Sequence, residues 1–208
     1  TPLSNTLGID VSVHYEDRSK GFGHNYAVGR DVQEGESFGI RSKLLWEPSD
    51  RTTIRLSGIY SYRNHSGYPS ANALTSIAAL PSVYDLNSNL QPITKSVYRN
   101  VTLNIDHDLD FARLVSISAW QFALQRQRQD LDFTPANAAG LDVFQHTRTL
   151  SQEFQLLSPT GSKLDWTLGA FLYDSKSDGK PSILYTPAAN NAITAFTPTK
   201  SAWVYGQE

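Results

Sequence analysis

Asp106, His107, Asp108 and Asp110 crowd into the run DHDLD, and carboxylates with an imidazole at that density are donors a divalent cation takes. Apolar-alternating segments bound the run on both sides, so a polar turn is the stronger reading. The five histidines, His14, His24, His65, His107 and His146, lack the H-x-x-x-H spacing that sets two imidazoles around zinc. Absence of cysteine excludes thiolate metal sites, disulfides and a cysteine nucleophile. Gly21 and Gly23 form a G-x-G without the strand-to-helix context of a phosphate loop. Serine, histidine and acidic residues are plentiful, but alternating strands scatter them and no triad stands out. The expectation is a protein that is not an enzyme, with no metal and no cofactor.

Binding is what remains. Arg41, Lys43, Arg55 and Arg63 share one parity of two segments, where they either draw an anionic ligand or line a hydrated wall, and the wall is favoured. Phe22, Tyr26, Tyr68 and Tyr84 fall in long polar connections, where rigid rings give contact area at low entropic cost. Packing among the loops accounts for them equally well. The candidate ligand-binding residues are therefore Phe22, Tyr26, Arg63, Tyr68 and Tyr84.

The elements that must position them follow a period of two. Residues 8 to 16 set Ile9, Val11, Val13 and Tyr15 against Asp10, Ser12, His14 and Glu16. Residues 37 to 47 oppose Phe38, Ile40, Leu44 and Trp46 to Arg41, Lys43 and Glu47, and residues 53 to 63 oppose Ile54, Leu56, Tyr60 and Tyr62 to Arg55, Ser57, Ser61 and Arg63. Further strands are expected at about 97–106, 112–126, 149–156 and 164–172, with an eighth in SAWVYGQE. In the fifth, Val115, Ile117 and Ala119 lie on one parity and Trp120, Phe122 and Leu124 on the other, which predicts a bulge near Trp120. Proline supports these boundaries: all ten fall in connections, at strand starts or before them, with Pro48 in a short connection and Pro181 in a long one.

Long and short connections alternate: about 20 residues, a turn at Pro48 to Asp50, about 32, a turn at HDLDF, about 20, the SPTGSK turn, and about 23. The longest irregular segments are expected at 64–95 and 176–197, with a short helix near Ala71 to Ala79. An antiparallel up-and-down meander with tight turns at one end and large loops at the other is how outer-membrane barrels are built. Aromatics at strand ends, Tyr15, Phe38, Tyr60 and Tyr62 near the loops and Trp46 and Trp166 near the turns, would form two girdles. No apolar run reaches the length of a transmembrane helix. With 18 basic and 20 acidic residues, a net charge of -2 gives no global field for nucleic acid. The chain of 208 residues has the length of one domain or part of a larger one, and its start at TPLSNTLGID without a signal peptide leads us to expect a piece of something longer.

Four motifs then carry a resemblance: GFGHN (Gly21 to Asn25), RSKLLWEPSD (Arg41 to Asp50), SQEFQLLS (Ser151 to Ser158) and DWTLGAFLY (Asp165 to Tyr173). In this order the sequence resembles the barrel domain of TonB-dependent outer-membrane receptors. The resemblance implies an all-β fold, an open segment of about eight strands from a 22-stranded transmembrane barrel in the bacterial outer membrane. It also implies import of a ferric siderophore or another large scarce nutrient, such as cobalamin or an oligosaccharide. Residues 1–208 would be a single partial barrel domain truncated at both ends, without the plug, the N-terminal TonB-contacting segment or the C-terminal strands. Its implied partners are outer-membrane lipid, the plug of the same full-length chain, the energy-coupling TonB protein through the missing N-terminal region, and the siderophore. Two rivals stay open: a complete eight-stranded outer-membrane barrel with a structural or adhesion role, and a soluble carbohydrate-binding β-sandwich. If the barrel holds, Ile9, Val11, Val13, Ile40, Leu44, Ile54, Leu56, Leu103, Ile105, Leu156 and Leu168 face lipid, while Asp10, Ser12, His14, Arg41, Lys43, Arg55, Asn104 and Glu153 face the lumen.

Overall fold

A computed structural model of the chain describes residues 1–67, 80–186, 189–193 and 197–207, with side chains outside 180–198 and 207. Period-two segments become long strands: β1 (Leu7–Arg18), β4 (Gly35–Ser49), β5 (Thr52–His65), β6 (Ile93–Asp108), β7 (Arg113–Asp130), β8 (Gly140–Leu157), β9 (Thr167–Thr186) and β11 (Thr197–Gln207). Short β2 (Gly23–Asn25) and β3 (Arg30–Val32) pair with each other within the first long connection. β10 (Ala189–Ile193) and β11 follow one another along the far edge of β9, so they act as one interrupted strand. The sheet is an antiparallel meander in the order β1-β4-β5-β6-β7-β8-β9, ending on that shared edge. It is not closed, since β1 and β11 are not paired with each other. The first residues fold back on the free edge of β1, where the Thr1 amine donates to the Ile9 carbonyl at 2.6 Å.

Four expectations change. β7 keeps its register with β6 and β8 throughout, so there is no bulge at Trp120. Val115, Ile117 and Ala119 instead lie on the polar face, opposite Asp106, Asn104 and Thr102. Ser116 and Ser118 lie on the apolar face, where they satisfy one another's neighbour: Ser118 donates to Gln152 Oε1, and Gln152 Nε2 donates to Ser116 Oγ at 3.0 Å. The described residues of the segment 176–197 are strand and not irregular, because β9 runs on to Thr186 and pairs with β10. Pro181 is thus inside a strand, at a register shift against β8 between Asp142 and Phe144, where its missing N–H costs no ladder bond. Pro48 likewise sits within β4 at a shift between Trp46 and Ser49. The third long connection shrinks to residues 131–139, since both flanking strands continue past the apolar region. The segment expected to form a helix, 71–79, lies outside the described residues.

Register assigns faces without ambiguity. Ile9, Leu44, Leu56 and Leu103 stand directly opposite one another across four strands, as do Asp10, Lys43, Ser57 and Thr102 on the other face. Every residue expected to face lipid falls on the first face and every residue expected to face the lumen falls on the second. No second layer covers the apolar face among the described residues: Val13 is 63% exposed, Leu150 58% and Leu168 55%. The accessible surface is 13207 Å², whereas a compact monomer of 23.1 kDa exposes about 9,700 Å².

The upper edge of the apolar face is stepped. On β1, β4, β5, β6 and β7 it ends at Tyr15, Phe38, Tyr62, Val97 and Leu124, which share one row of the register, with Arg99 the charged residue just below Val97. On β8 it ends at Leu150 and on β9 at Leu172, whose row runs through Gln152, Ser118, Leu103, Leu56 and Leu44 to Ile9, six residues short of Tyr15.

Candidate functional site

Buried side chains gather mainly at the long-loop end, and most of them are polar. Asn25, fully buried, accepts from the Ser88 amide at 3.0 Å and donates to the Leu90 carbonyl at 3.4 Å. Around it the β2–β3 hairpin adds a short parallel bridge to Leu86, with the Tyr26 amide on the Leu86 carbonyl and the Leu86 amide on the His24 carbonyl, each at 2.9 Å. Asp85 accepts from the His24 amide at 2.9 Å and the Ser82 amide at 3.0 Å. Ser88 Oγ donates to Asp130 Oδ2 at 2.6 Å, and Asp130 Oδ1 accepts from the Asp132 and Phe133 amides at 3.0 and 3.1 Å. Three connections, 19–34, 80–92 and 131–139, are therefore locked into one platform, with Val32, Leu86 and Pro92 filling its interior.

Two glycines permit this closeness. A Cβ on Gly21 would lie 1.7 Å from the Val32 carbonyl oxygen, and one on Gly23 would lie 2.0 Å from that of Tyr84. The G-x-G run is thus a packing contact between loops. Asp132 organises the last connection, accepting from the Thr134, Ala138 and Ala139 amides at 3.0, 3.1 and 2.6 Å. Burial works to raise its pKa, but the hydrogen bonds from Thr134, Ala139 and Ala138 outweigh it and hold the carboxyl below its ordinary value.

Beside the platform, on the polar face of the sheet, opens a cleft of about 460 Å³ lined by Arg18, Phe22, Gln33, Arg63, His65, Gly67, Tyr84 and Thr94. Arg18, Arg63, His65 and Thr94 come from the ends of β1, β5 and β6, and Phe22 and Tyr84 come from the loops. The Arg18 guanidinium lies 4.7 Å above the Phe22 ring centroid, and Phe22 and Tyr84 meet at 6.1 Å with a 45° tilt. Both rings stay more than half exposed. Arg18 Nη1 donates to the Gln33 carbonyl at 3.4 Å, which ties the cation to a residue held at φ 69°. His65 stands beyond the aromatic row at Tyr62; burial first, then the neighbouring Arg63 and Arg18, push its imidazole pKa down. Its Nε2 is buried without a hydrogen-bond partner among the described residues. The Arg63 guanidinium, together with that of Arg18, which also pairs with Glu16 at 3.0 Å, can attract an anion, and the two open rings and the imidazole offer flat area beside it.

Of the candidates, Phe22, Arg63 and Tyr84 line this one cleft. Tyr26 stands elsewhere on the hairpin, edge-on to His24 at 5.2 Å, with its hydroxyl 3.4 Å from Asp85 Oδ2. Tyr68 lies outside the described residues. Arg18, Gln33 and His65 were not singled out by sequence; Arg18 and His65 sit at strand ends, where only register brings them together. Arg55 is far down the polar face, where it and Arg113 each contact Asp106 at 2.6 Å. The DHDLD run divides: Asp106 joins that ion pair, His107 on the opposite face meets Thr52 Oγ1 at 2.9 Å, and Asp110 pairs with Arg51 at 2.8 Å.

No family model matches the sequence, and no curated protein matches it. A solved structure, the ferric yersiniabactin uptake receptor FyuA from Yersinia pestis, is similar with a TM-score of 0.67 over 99% of this chain at 13% identity. The chain spans 40% of that receptor's length. Likeness at this identity concerns fold: the open meander matches part of a barrel wall of the receptor type.

Proposed function

We propose that this chain is part of the wall and loop platform of a TonB-dependent transporter of the bacterial outer membrane, and that the cleft at the loop end receives a ferric siderophore or another large, scarce nutrient. The observation that carries the reading is the uncovered apolar face, shared by all the long strands from β1 to β9 and opposed by a polar face. An apolar patch of this extent facing water would be a liability. Lipid relieves it. The face opposite is lined by Arg, Lys, Asp, Asn, Ser and Thr, as a hydrated lumen with a plug of the same chain would require. The two rivals fit less well. A complete small barrel needs β1 to pair with β11, and a sandwich needs a second sheet on the apolar face; neither is present among the described residues.

Deleting the full-length gene is expected to abolish uptake of one class among ferric catecholate, ferric hydroxamate, ferric citrate, cobalamin and maltooligosaccharide probes. Restoring the gene with Phe22→Ala and Tyr84→Ala together should lower binding of that probe at least tenfold, about 1.4 kcal/mol, which is modest for the loss of two aromatic contacts. Unchanged uptake of every probe in the deletion strain contradicts the transport reading, and full binding by the double variant contradicts the cleft's role.

A further inference from the structure

Three hollows lie in file on the polar face of β1, β4 and β5, and the register shows that they adjoin. On β5 the cleft takes the rows of His65 and Arg63. A second hollow, of about 230 Å³, takes the next two rows: His14, Gly39 and Ser61, then Ser12, Arg41 and Ile59. A third, of about 550 Å³, takes the two after that: Asp10, Lys43 and Ser57, then Gly8, Leu45 and Arg55. No row is skipped. The hollows therefore form one furrow, which runs over ten residues of β5, about 33 Å, from the loops toward the turns. Missing and short side chains open it in the middle, where a Cβ on Gly39 would come no nearer than 3.8 Å to any atom outside its chain neighbours.

Each hollow carries a cation. Arg18 and Arg63 stand in the first, Arg41 in the second, and Lys43 and Arg55 in the third. Arg18 is paired with Glu16 at 3.0 Å and Arg55 with Asp106 at 2.6 Å. Arg41, Lys43 and Arg63 are exposed and in no ion pair among the described residues. Asp10, directly opposite Lys43 in the register, is the one acid of these rows left to offset them, so two positive charges remain over. The rest of the polar face differs: from β6 to β9 its one cation among the described residues is Arg113, which Asp106 holds at 2.6 Å. Unpaired charge is thus confined to the strands that carry the furrow. Successive stations lie about 13 Å apart from Arg63 to Arg41 and about 7 Å from Arg41 to Lys43, by strand rise. Several weak sites at such steps let a solute enter without trapping it. We propose that the furrow is an inner binding track entered from the cleft, with its middle site at Arg41 and Lys43, and that its ligand is a small molecule carrying ionised oxygens. The inference rests on the transport reading and adds to it the charge of the cargo and the strands it follows.

The test has two arms, both on the full-length protein. In neutral detergent, cysteines replacing Ser57 and Ser61 are compared with one replacing Ser151, which shares the row of Ser57 but stands on β8. Two thiosulfonate reagents of similar size are used, one bearing a sulfonate and one a trimethylammonium group. The ratio of anionic to cationic reaction rates is expected to be at least about tenfold higher at 57 and 61 than at 151, and to fall as salt rises. R41Q/K43Q should erase the difference, and R41K/K43R, which keeps the charge, should preserve it. In cells lacking the gene, the probe whose uptake is lost should be an anion, ferric citrate or a ferric catecholate. Restoring the gene with R41Q/K43Q, or with Gly39→Val to fill the middle hollow, should lower that uptake at least tenfold while surface binding falls less than threefold. Equal ratios at 57, 61 and 151, a furrow closed to both reagents while 151 reacts, loss of a neutral probe such as cobalamin or a maltooligosaccharide, or full uptake by folded R41Q/K43Q would each overturn the proposal. Loss of no probe at all would instead sink the transport reading, so the two failures are distinguishable.

Discussion

Replacing Asp130 with Ala in the full-length protein is expected to loosen the loop platform by about 3 kcal/mol, seen as a fall of about two decades in hydrogen-exchange protection at Ser88 to Leu90 and at residues 131–133. The carboxylate is 1% exposed and is the acceptor for Ser88 Oγ and for the Asp132 and Phe133 amides. Alanine leaves the Asp132 and Phe133 amides without their acceptor in a place where water enters poorly, and the Ser88 hydroxyl keeps only the Leu90 carbonyl at 2.9 Å. Phe133 adds to the effect, because its φ of 56° is a left-handed conformation that a bulky residue adopts only when something holds it there. Asp130→Asn keeps one acceptor oxygen for the two amides and should retain much of the protection. Equal protection in wild type and alanine variant would mean that the three connections are not held through Asp130.

The second large effect is on the sheet. Leu56, flanked directly by Leu44 and Leu103, stands within the apolar band, and Leu56→Arg should cost about 2–4 kcal/mol in folding into a bilayer. Ser57→Arg, one residue on and on the opposite face, should cost little, since a hydrated wall solvates the guanidinium. Urea titration of folding into phosphatidylcholine vesicles measures both. Equal costs would show that the two faces meet the same medium.

How the strands read in sequence depends on what lies on either side of them. Between Ile9 and Tyr15, or Ile54 and Tyr62, one face of the sheet is apolar and the other polar, which imposes a period of two, and there the expected strands agree with the observed ones to within a few residues. Beyond the apolar band neither face is consistently apolar. The ends of β7 (QRQRQD) and the start of β8 (GLDVFQHT) then carry no clean alternation, and sequence gives no reason to separate them from loop. Ser116, Ser118 and Gln152 deceived in the opposite way, since polar groups that bond each other look like a change of face. Phe22, Arg63 and Tyr84 were nameable from residue type, but not the fact that one cleft gathers them. Asn25, Ser88 and Asp130 were missed altogether, because a buried polar side chain has the same letter as an exposed one. Only the spacing of Asp130, Asp132 and Thr134, suited to side chains that accept from the amides two residues on, hinted at the last turn.

Single-cysteine labelling of the full-length protein in cells, with a membrane-impermeant thiol reagent, tests the central claim most directly. The chain has no cysteine of its own, so each introduced thiol within it reports alone. Cysteines replacing Val11 and Leu56 should stay unlabelled in lipid, and cysteines replacing Ser12 and Ser57, each one residue away on the opposite face, should react. Strong labelling at 11 and 56 with protection at 12 and 57 would contradict the assignment of faces, and with it the reading of this sheet as the wall of a membrane barrel.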